Sequence, residues 1–462
     1  MTTTRSGRAW TSQLSAYRAA VQRRVLLVLT AVQVVAGIGA AAGAAAGTLA
    51  VRHLSGSDTV AGFAQVGVLL GAALAAVPVA RLAASRGRRP ALAFGYGCGL
   101  LGALVAAGAV AAGSWRLLLA GLVLLGGATA AGLAARFAAT DLSRPGHPAR
   151  DLSIVVWAAT GGSVAGPLIA GQVDDTGSHL GVYALTAVVF AMAAVGIVAG
   201  LRPDPLQVAH EGSARGAIAP ERSLRSALGV LGRSPSARVS VMAIAVSHTA
   251  SLALLAATSL QLDRGGADAA DLGIVLSLHV AGMYVLSPLI GWCADQLGHV
   301  PVLLGGQVLL VLAALTAGLA APGAVAQSGA ALVLLGVGWS CGLVAGSALL
   351  TESVPVDLRP SVQGLSDLLM NAGAAVGVLV AGLLVTADAY TVLPGTLLVL
   401  ALPMATALLL ARRIAPAAQS TQSMRSMRSM PPAPAPPAPA PPTGTLPPAW
   451  PPPSGSSGHL LT

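Results

Sequence analysis

The chain has 462 residues, 55% hydrophobic and 9% charged, with a formal net charge of +10. Soluble domains carry roughly a quarter charged residues, so this composition excludes a soluble enzyme and points to a surface that faces lipid. The positive charge does not imply nucleic acid, because all 26 basic residues are arginine and they are confined to particular loops.

An N-terminal arm, 1–24, carries Arg18, Arg23 and Arg24 ahead of a long apolar run. The run from Val25 to Ala50 is too long for a signal-peptide core of about 7–15 residues, so it reads as a first span. A helix needs about 20 apolar residues to cross the hydrocarbon. Hydropathy gives twelve such segments: 25–50, 59–80, 90–112, 117–139, 153–173, 180–200, 239–261, 270–292, 300–321, 328–350, 364–387 and 391–411. Only Arg52, Arg116 and Arg264 then fall on the outer side. The positive-inside bias sets both termini in the cytoplasm of a multi-pass plasma-membrane protein.

The central loop, 201–238, is cytoplasmic and holds six arginines, with Leu224, Leu228 and Leu231 on one face of a short helix suited to the membrane surface. After span twelve the segment 412–462 is rich in proline, alanine and serine, and is expected to be disordered with polyproline II character.

Residues 211 apart repeat one another. Gly62 and Gly71 match Gly273 and Gly282, Gly87 and Pro90 match Gly298 and Pro301, and Thr140-Asp141 matches Thr351-Glu352. The stretch "GSVAGPLIAG" at 162–171 returns as "GAAVGVLVAG" at 373–382. The chain therefore reads as two six-helix halves, 25–200 and 239–411, related by an axis along the membrane normal. Gly162, Gly166 and Gly171, like Gly373, Gly377 and Gly382, are packing positions, because helices in lipid associate through close approach of small residues. Pro167 removes a backbone donor and is expected to bend span five at an interface between the halves.

The loop "GWCADQLGHVP" at 291–301 resembles the loop signature of the major facilitator superfamily, carried by Gly291, Asp295 and Gly298. Its first-half counterpart, "ARLAASRGRRP" at 80–90, keeps Gly87, Arg88 and Arg89 but has Ala84 where the acid belongs. The span-five stretch resembles that of the drug–proton antiporters, although Leu122 stands where those proteins carry an arginine. Asp141 with Arg150 and Glu352 with Arg359 resemble the family's cytoplasmic charge-relay pairs. The resemblance covers about 20–412. It implies an all-α integral membrane fold of twelve transmembrane helices, a monomer, and a midplane cavity built from spans 1, 2, 4, 5, 7, 8, 10 and 11. It also implies that the loops latch an outward-open state.

Ionisable and polar groups at membrane depth are functional candidates by default. They are His248, His279 and Asp367, with Asn371 four residues beyond Asp367, Tyr284, and the neutral Gln33 and Gln65. Trp157 and Trp339 are candidate aromatic walls. The histidines and Asp367 are the candidates for carrying a coupled proton. No metal or cofactor is expected: Cys98, Cys293 and Cys341 are scattered, and GxxxxGK[ST] and HExxH motifs are missing from the sequence. These readings point to a secondary transporter for a small molecule, with proton-driven export the expected direction. A non-transporting scaffold or sensor on the same fold, and an uptake carrier, stay open at this stage.

Overall fold

The computed structural model describes residues 3–173, 179–211 and 224–386, together with positions 395 and 404. The expected twelfth span, 391–411, lies almost wholly outside them, as does the whole tail. Among the described residues, regular structure is entirely helical. Eleven helical segments are long and apolar enough to cross a membrane.

The first half runs α1 (Thr3–Ser55), α2 (Asp58–Arg86), α3 (Arg88–Ala111), α4 (Trp115–Ala138), α5 (Pro148–Val173) and α6 (Leu180–Gly200). Two short helices follow, α7 (Pro205–Glu211) and α8 (Leu224–Arg233). The second half comprises α9 (Pro235–Arg264), α10 (Ala269–Tyr284), α11 (Ser287–Leu297), α12 (His299–Gly318), α13 (Val325–Ser353) and α14 (Arg359–Thr386). Asp58, Arg88 and Pro148 start helices, and so do Ala269, His299 and Arg359, each 211 residues later. The repeat in the letters is thus a repeat in the helix boundaries.

Four expectations change. The N-terminal arm is not separate from span one, because no proline interrupts the chain between Thr3 and Ser55 and α1 runs through both. Span eight is not continuous: it breaks between α10 and α11 at Val285 and Leu286. Pro288 has no N–H for the Tyr284 carbonyl. The Ser287 hydroxyl donates to that carbonyl instead, at 2.7 Å, which keeps a freed backbone acceptor satisfied within an apolar bundle. Span seven starts early, at Pro235, with Ser234 accepting from the Ala237 N–H as its cap. Finally, the central loop contains α8, but Leu228 is exposed. Ala227 is the fully buried residue, and Leu224 and Leu231 pack beside it against Phe137, Val241 and Leu350.

The glycine stripes lie elsewhere than expected. A Cβ on Gly162 would stand 2.6 Å from the Gly37 Cα, and one on Gly166 would stand 2.7 Å from the Ile38 carbonyl oxygen. The stripe therefore seats α5 on α1 of its own half, and not on the other half. Gly373 and Gly377 repeat the arrangement on α9, where a Cβ would meet Thr249 at 2.7 and 2.8 Å. Among the described residues nothing lies within 4 Å of a Cβ at Gly171 or Gly382, so neither packs against a described helix. Pro167 sits inside α5, which runs unbroken to Val173.

The halves meet through α2 against α14 and α5 against α11. Ala80 faces Gly364 in the first contact, and Ser153 faces Gly291 in the second. These four residues are two copies of one repeat-related contact. Each half keeps its own apolar core, with Tyr96, Leu122 and Phe190 in the first and Leu254, Leu310 and Leu335 in the second.

Candidate functional site

Between the halves lies a cavity of about 270 Å³. Its walls include Gln33, Thr129, Arg136 and Ser163 from the first half, and Tyr284 and Trp339 from the second. The first-half wall is otherwise mostly alanine and glycine, so it is low and smooth. Trp339 is held from behind: its indole N–H donates to His248 Nδ1 at 2.8 Å. Tyr284 stands edge-on to Trp339, with ring centroids 5.6 Å apart, a favoured aromatic geometry. Nε2 of His248 and Oε1 of Gln33 are buried without a hydrogen-bond partner among the described residues.

One end of the cavity is closed by polar ties between the halves. Arg136, near the end of α4, is fully buried. It donates to Asp367 on α14 at 2.5 Å, to Ser347 on α13 at 2.9 Å, and to the Leu133 carbonyl at 2.7 Å. Arg136 and Ser347 are 211 residues apart, as are Thr140 and Thr351, whose hydroxyls meet at 3.4 Å. Repeat-related residues that touch must straddle the axis relating the halves, so α4 and α13 meet on it.

Farther toward the loops, Arg88 grips Asp141 with two hydrogen bonds, at 2.7 and 3.0 Å, and donates to Gln363 of the other half at 2.7 Å. Both charged side chains are buried. A paired, hydrogen-bonded arrangement of this kind is what makes a buried charge tolerable. In the second half, His299 stands at the position of Arg88 and Glu352 at that of Asp141, and they lie 3.0 Å apart. The expected pairings are thereby corrected. Asp141 is paired with Arg88 and not with Arg150. Glu352 faces His299, while Arg359 donates to the Val354 carbonyl. Sequence proximity suggested the first pairing; the turn from α2 into α3 produces the second.

Asp295, at the end of α11, accepts from the backbone N–H groups of Ala149 and Arg150, at 3.1 and 2.9 Å. Its carboxylate thus sits on the N-terminus of α5, where the helix dipole and free N–H groups favour negative charge. Only the backbone of Arg150 serves this contact. Gly87 and Gly298 have φ of +98° and +91°, a region open to glycine. At Gly87 a Cβ would also meet the Asp204 carboxyl carbon at 2.6 Å. Asp204 accepts from the Arg89 N–H at 2.8 Å, capping α3. Gly291 lets α11 approach Ser153 closely.

The other candidates are scattered. His279 is buried among α9, α10 and α13, with Nδ1 3.0 Å from the Leu332 carbonyl and Nε2 3.4 Å from the Ser251 hydroxyl. Asn371 is buried and donates to the Asp367 carbonyl at 2.8 Å. Gln65 is half-buried on α2, away from the cavity lining. Trp157 is 46% exposed on the outside of α5, so it is not a cavity wall. Arg136, Asp204 and Gln363 did not stand out in the sequence. Arg136 does carry one signal there, as an arginine flanked by apolar residues before the loop begins.

The Major Facilitator Superfamily model matches residues 27–265 and 239–450. Among curated relatives, "Uncharacterized MFS-type transporter YdeG" of Bacillus subtilis (strain 168) is 30% identical over 384 residues. That match spans 80% of this chain and 88% of the relative. "Riboflavin transporter RfnT" of Brucella anthropi is 25% identical over 362 residues, 76% of this chain and 86% of the relative. Among solved structures, the human organic anion transporter MFSD10 superposes with a TM-score of 0.65 at 16% identity, covering 84% of this chain and 99% of that one. At that identity the likeness concerns the fold alone.

Proposed function

The chain belongs to the Major Facilitator Superfamily, and on that premise we propose that this secondary transporter binds its small-molecule cargo between Trp339 and the smooth first-half wall and exports it in exchange for protons. The carrying observation is the cavity closed at one end by the Arg136–Asp367 tie between halves. Breaking that tie while forming contacts at the opposite end is the rocking motion that exposes a central site to each side in turn.

The arginine-rich end, with Arg88 and Arg136, faces the cytoplasm by the positive-inside bias. The described conformation is then closed toward the cytoplasm, and Asp295 on α5 and Arg88 with Gln363 serve as its latches. Asp367 is the proposed proton carrier, because it is a buried acid whose partner lies on the other half. His279, fixed by two contacts inside one half, is a packing residue in this reading. RfnT moves riboflavin by its name, and a small organic molecule is the cargo class proposed here. One chain supplies both walls of the cavity, so the working unit is the monomer, set in the plasma membrane.

The test uses inverted membrane vesicles acidified inside. Adding cargo should raise the internal pH as cargo enters, and Asp367→Asn should abolish the proton signal. Cargo flux without any pH change would rule out proton exchange, and acidification on cargo addition would mean the opposite coupling. Absence of flux for any cargo that binds would favour a scaffold.

A further inference from the structure

The cavity restricts the chemistry of what fills it, given the transporter reading above, on which this inference rests. We propose that the cargo is a planar aromatic compound bearing a carboxylate or similar anionic acceptor.

The aromatic half follows from the two walls. Trp339 is only 2% exposed, and its one polar atom is already bonded to His248. Little of it is open in this closed conformation, and what borders the cavity is carbon ring surface, held in one orientation by the His248 hydrogen bond and by Tyr284. The first-half lining includes Ala36, Gly37, Ala40, Ala128 and Gly132. These residues project little, so the space beside the fixed ring suits a flat molecule. A flat molecule fills a slot with contact on both faces, whereas a saturated ring system does not.

The anionic half follows from the donors. Among the described residues lining the cavity, Arg136 is the one that carries charge. A guanidinium has five N–H donors, and Arg136 uses one each toward Ser347, Leu133 and Asp367. Two of its N–H groups make no hydrogen bond to a described residue, and in this proposal they serve the ligand. An acidic lining that would hold a cation is missing from these residues, since Asp367 is committed to Arg136 and does not line the cavity. Gln33, Thr129 and Ser163 add neutral polar groups along the first-half wall. A guanidinium with free donors favours a planar, two-oxygen acceptor over a cation.

Three matched probes separate ring character from charge: 2-naphthoate, decahydro-2-naphthoate and N-methylquinolinium. Binding is measured on the purified full-length chain in detergent by equilibrium dialysis. Expected is a dissociation constant for 2-naphthoate at least about tenfold below those of the other two, a difference of about 1.4 kcal/mol. Trp339→Leu should weaken it about tenfold or more, while Trp339→Phe and the surface control Trp157→Leu retain it. Equal binding of the saturated acid overturns the aromatic requirement, and preference for the cation overturns the charge. No 2-naphthoate binding up to about 1 mM, or binding indifferent to Trp339→Leu, overturns the proposal as a whole. Flux of the bound probe in proteoliposomes is the separate arm: binding without flux counts against the transporter reading and leaves the ligand class standing. Flux of a non-aromatic cargo does the reverse.

Discussion

The hydroxyls of Thr140 and Thr351 lie 3.4 Å apart, and the two residues are separated by 211 positions, the length of the internal repeat. They are the same residue in two copies, meeting on the axis that relates the halves. One turn deeper the symmetry is broken: Arg136 meets not another arginine but Ser347, and it also pairs with Asp367.

The Arg136–Asp367 pair should therefore behave as a buried ion pair does. Arg136→Gln or Asp367→Asn alone should lower stability by about 3–5 kcal/mol, because the surviving charge is left unpaired. Replacing both by apolar residues, Arg136→Met with Asp367→Leu, should recover most of that loss while removing transport. Thermal unfolding of the three variants in detergent checks this. A single variant as stable as the parent would mean that the pair does not tie the halves.

Packing of α5 on α1 gives a second expectation. Gly162→Ala forces a Cβ against the Gly37 backbone, which has no flexible end to move aside. Overpacking of this sort costs about 1–3 kcal/mol. Gly171→Ala meets no described atom within 4 Å and should change little. Monodispersity and melting temperature should fall for the first variant and stay level for the second.

His299 stands where the first half has Arg88, and its Nε2 lies 3.0 Å from Glu352. His299→Ala should remove this contact and lower stability by at most about 1 kcal/mol, because Glu352 is partly exposed. Arg88→Ala instead leaves Asp141 buried and unpaired, and should cost about 3–5 kcal/mol. Melting curves of the two variants provide the comparison, and an equal loss would contradict it.

Asp295 caps α5, and the repeat places Ala84 in the same relation to the start of α14. Asp295→Ala should loosen the closed end by removing two charge-assisted bonds. Ala84→Asp should tighten it and slow turnover. Labelling of a cysteine placed at Ser153, buried where α5 meets α11, reports the closure: faster labelling is expected with the first change and slower with the second.

Much of the architecture was legible in the letters. Eleven of the expected spans coincide, within a few residues at their ends, with membrane-length helical segments of the described region, span eight with a break inside it, and the loop glycines Gly87 and Gly298 turn the chain where their repeat implied. Pro288 is the legible cause of the break in span eight, which hydropathy does not register because it is blind to backbone donors. The site was much less legible. Gln33, Tyr284 and Trp339 do come together at the cavity, but Trp157, chosen by the same criterion, points outward. In lipid an outward face is as apolar as a buried one, so hydropathy along a span does not report which way a side chain turns.

By itself the sequence determined that this chain crosses a membrane repeatedly, that it is a doubled unit, and which loops carry its charge. Those properties are sums over local segments: apolar length, arginine placement and a fixed offset. Only the tertiary structure decided that Arg88 belongs to Asp141, that Arg136 belongs to Asp367, and that the glycine stripes bind each half together from within. Each of those pairings joins residues distant in the chain, and their energies depend on which atoms exclude lipid and water together. That is settled by how the helices rotate against one another when they pack.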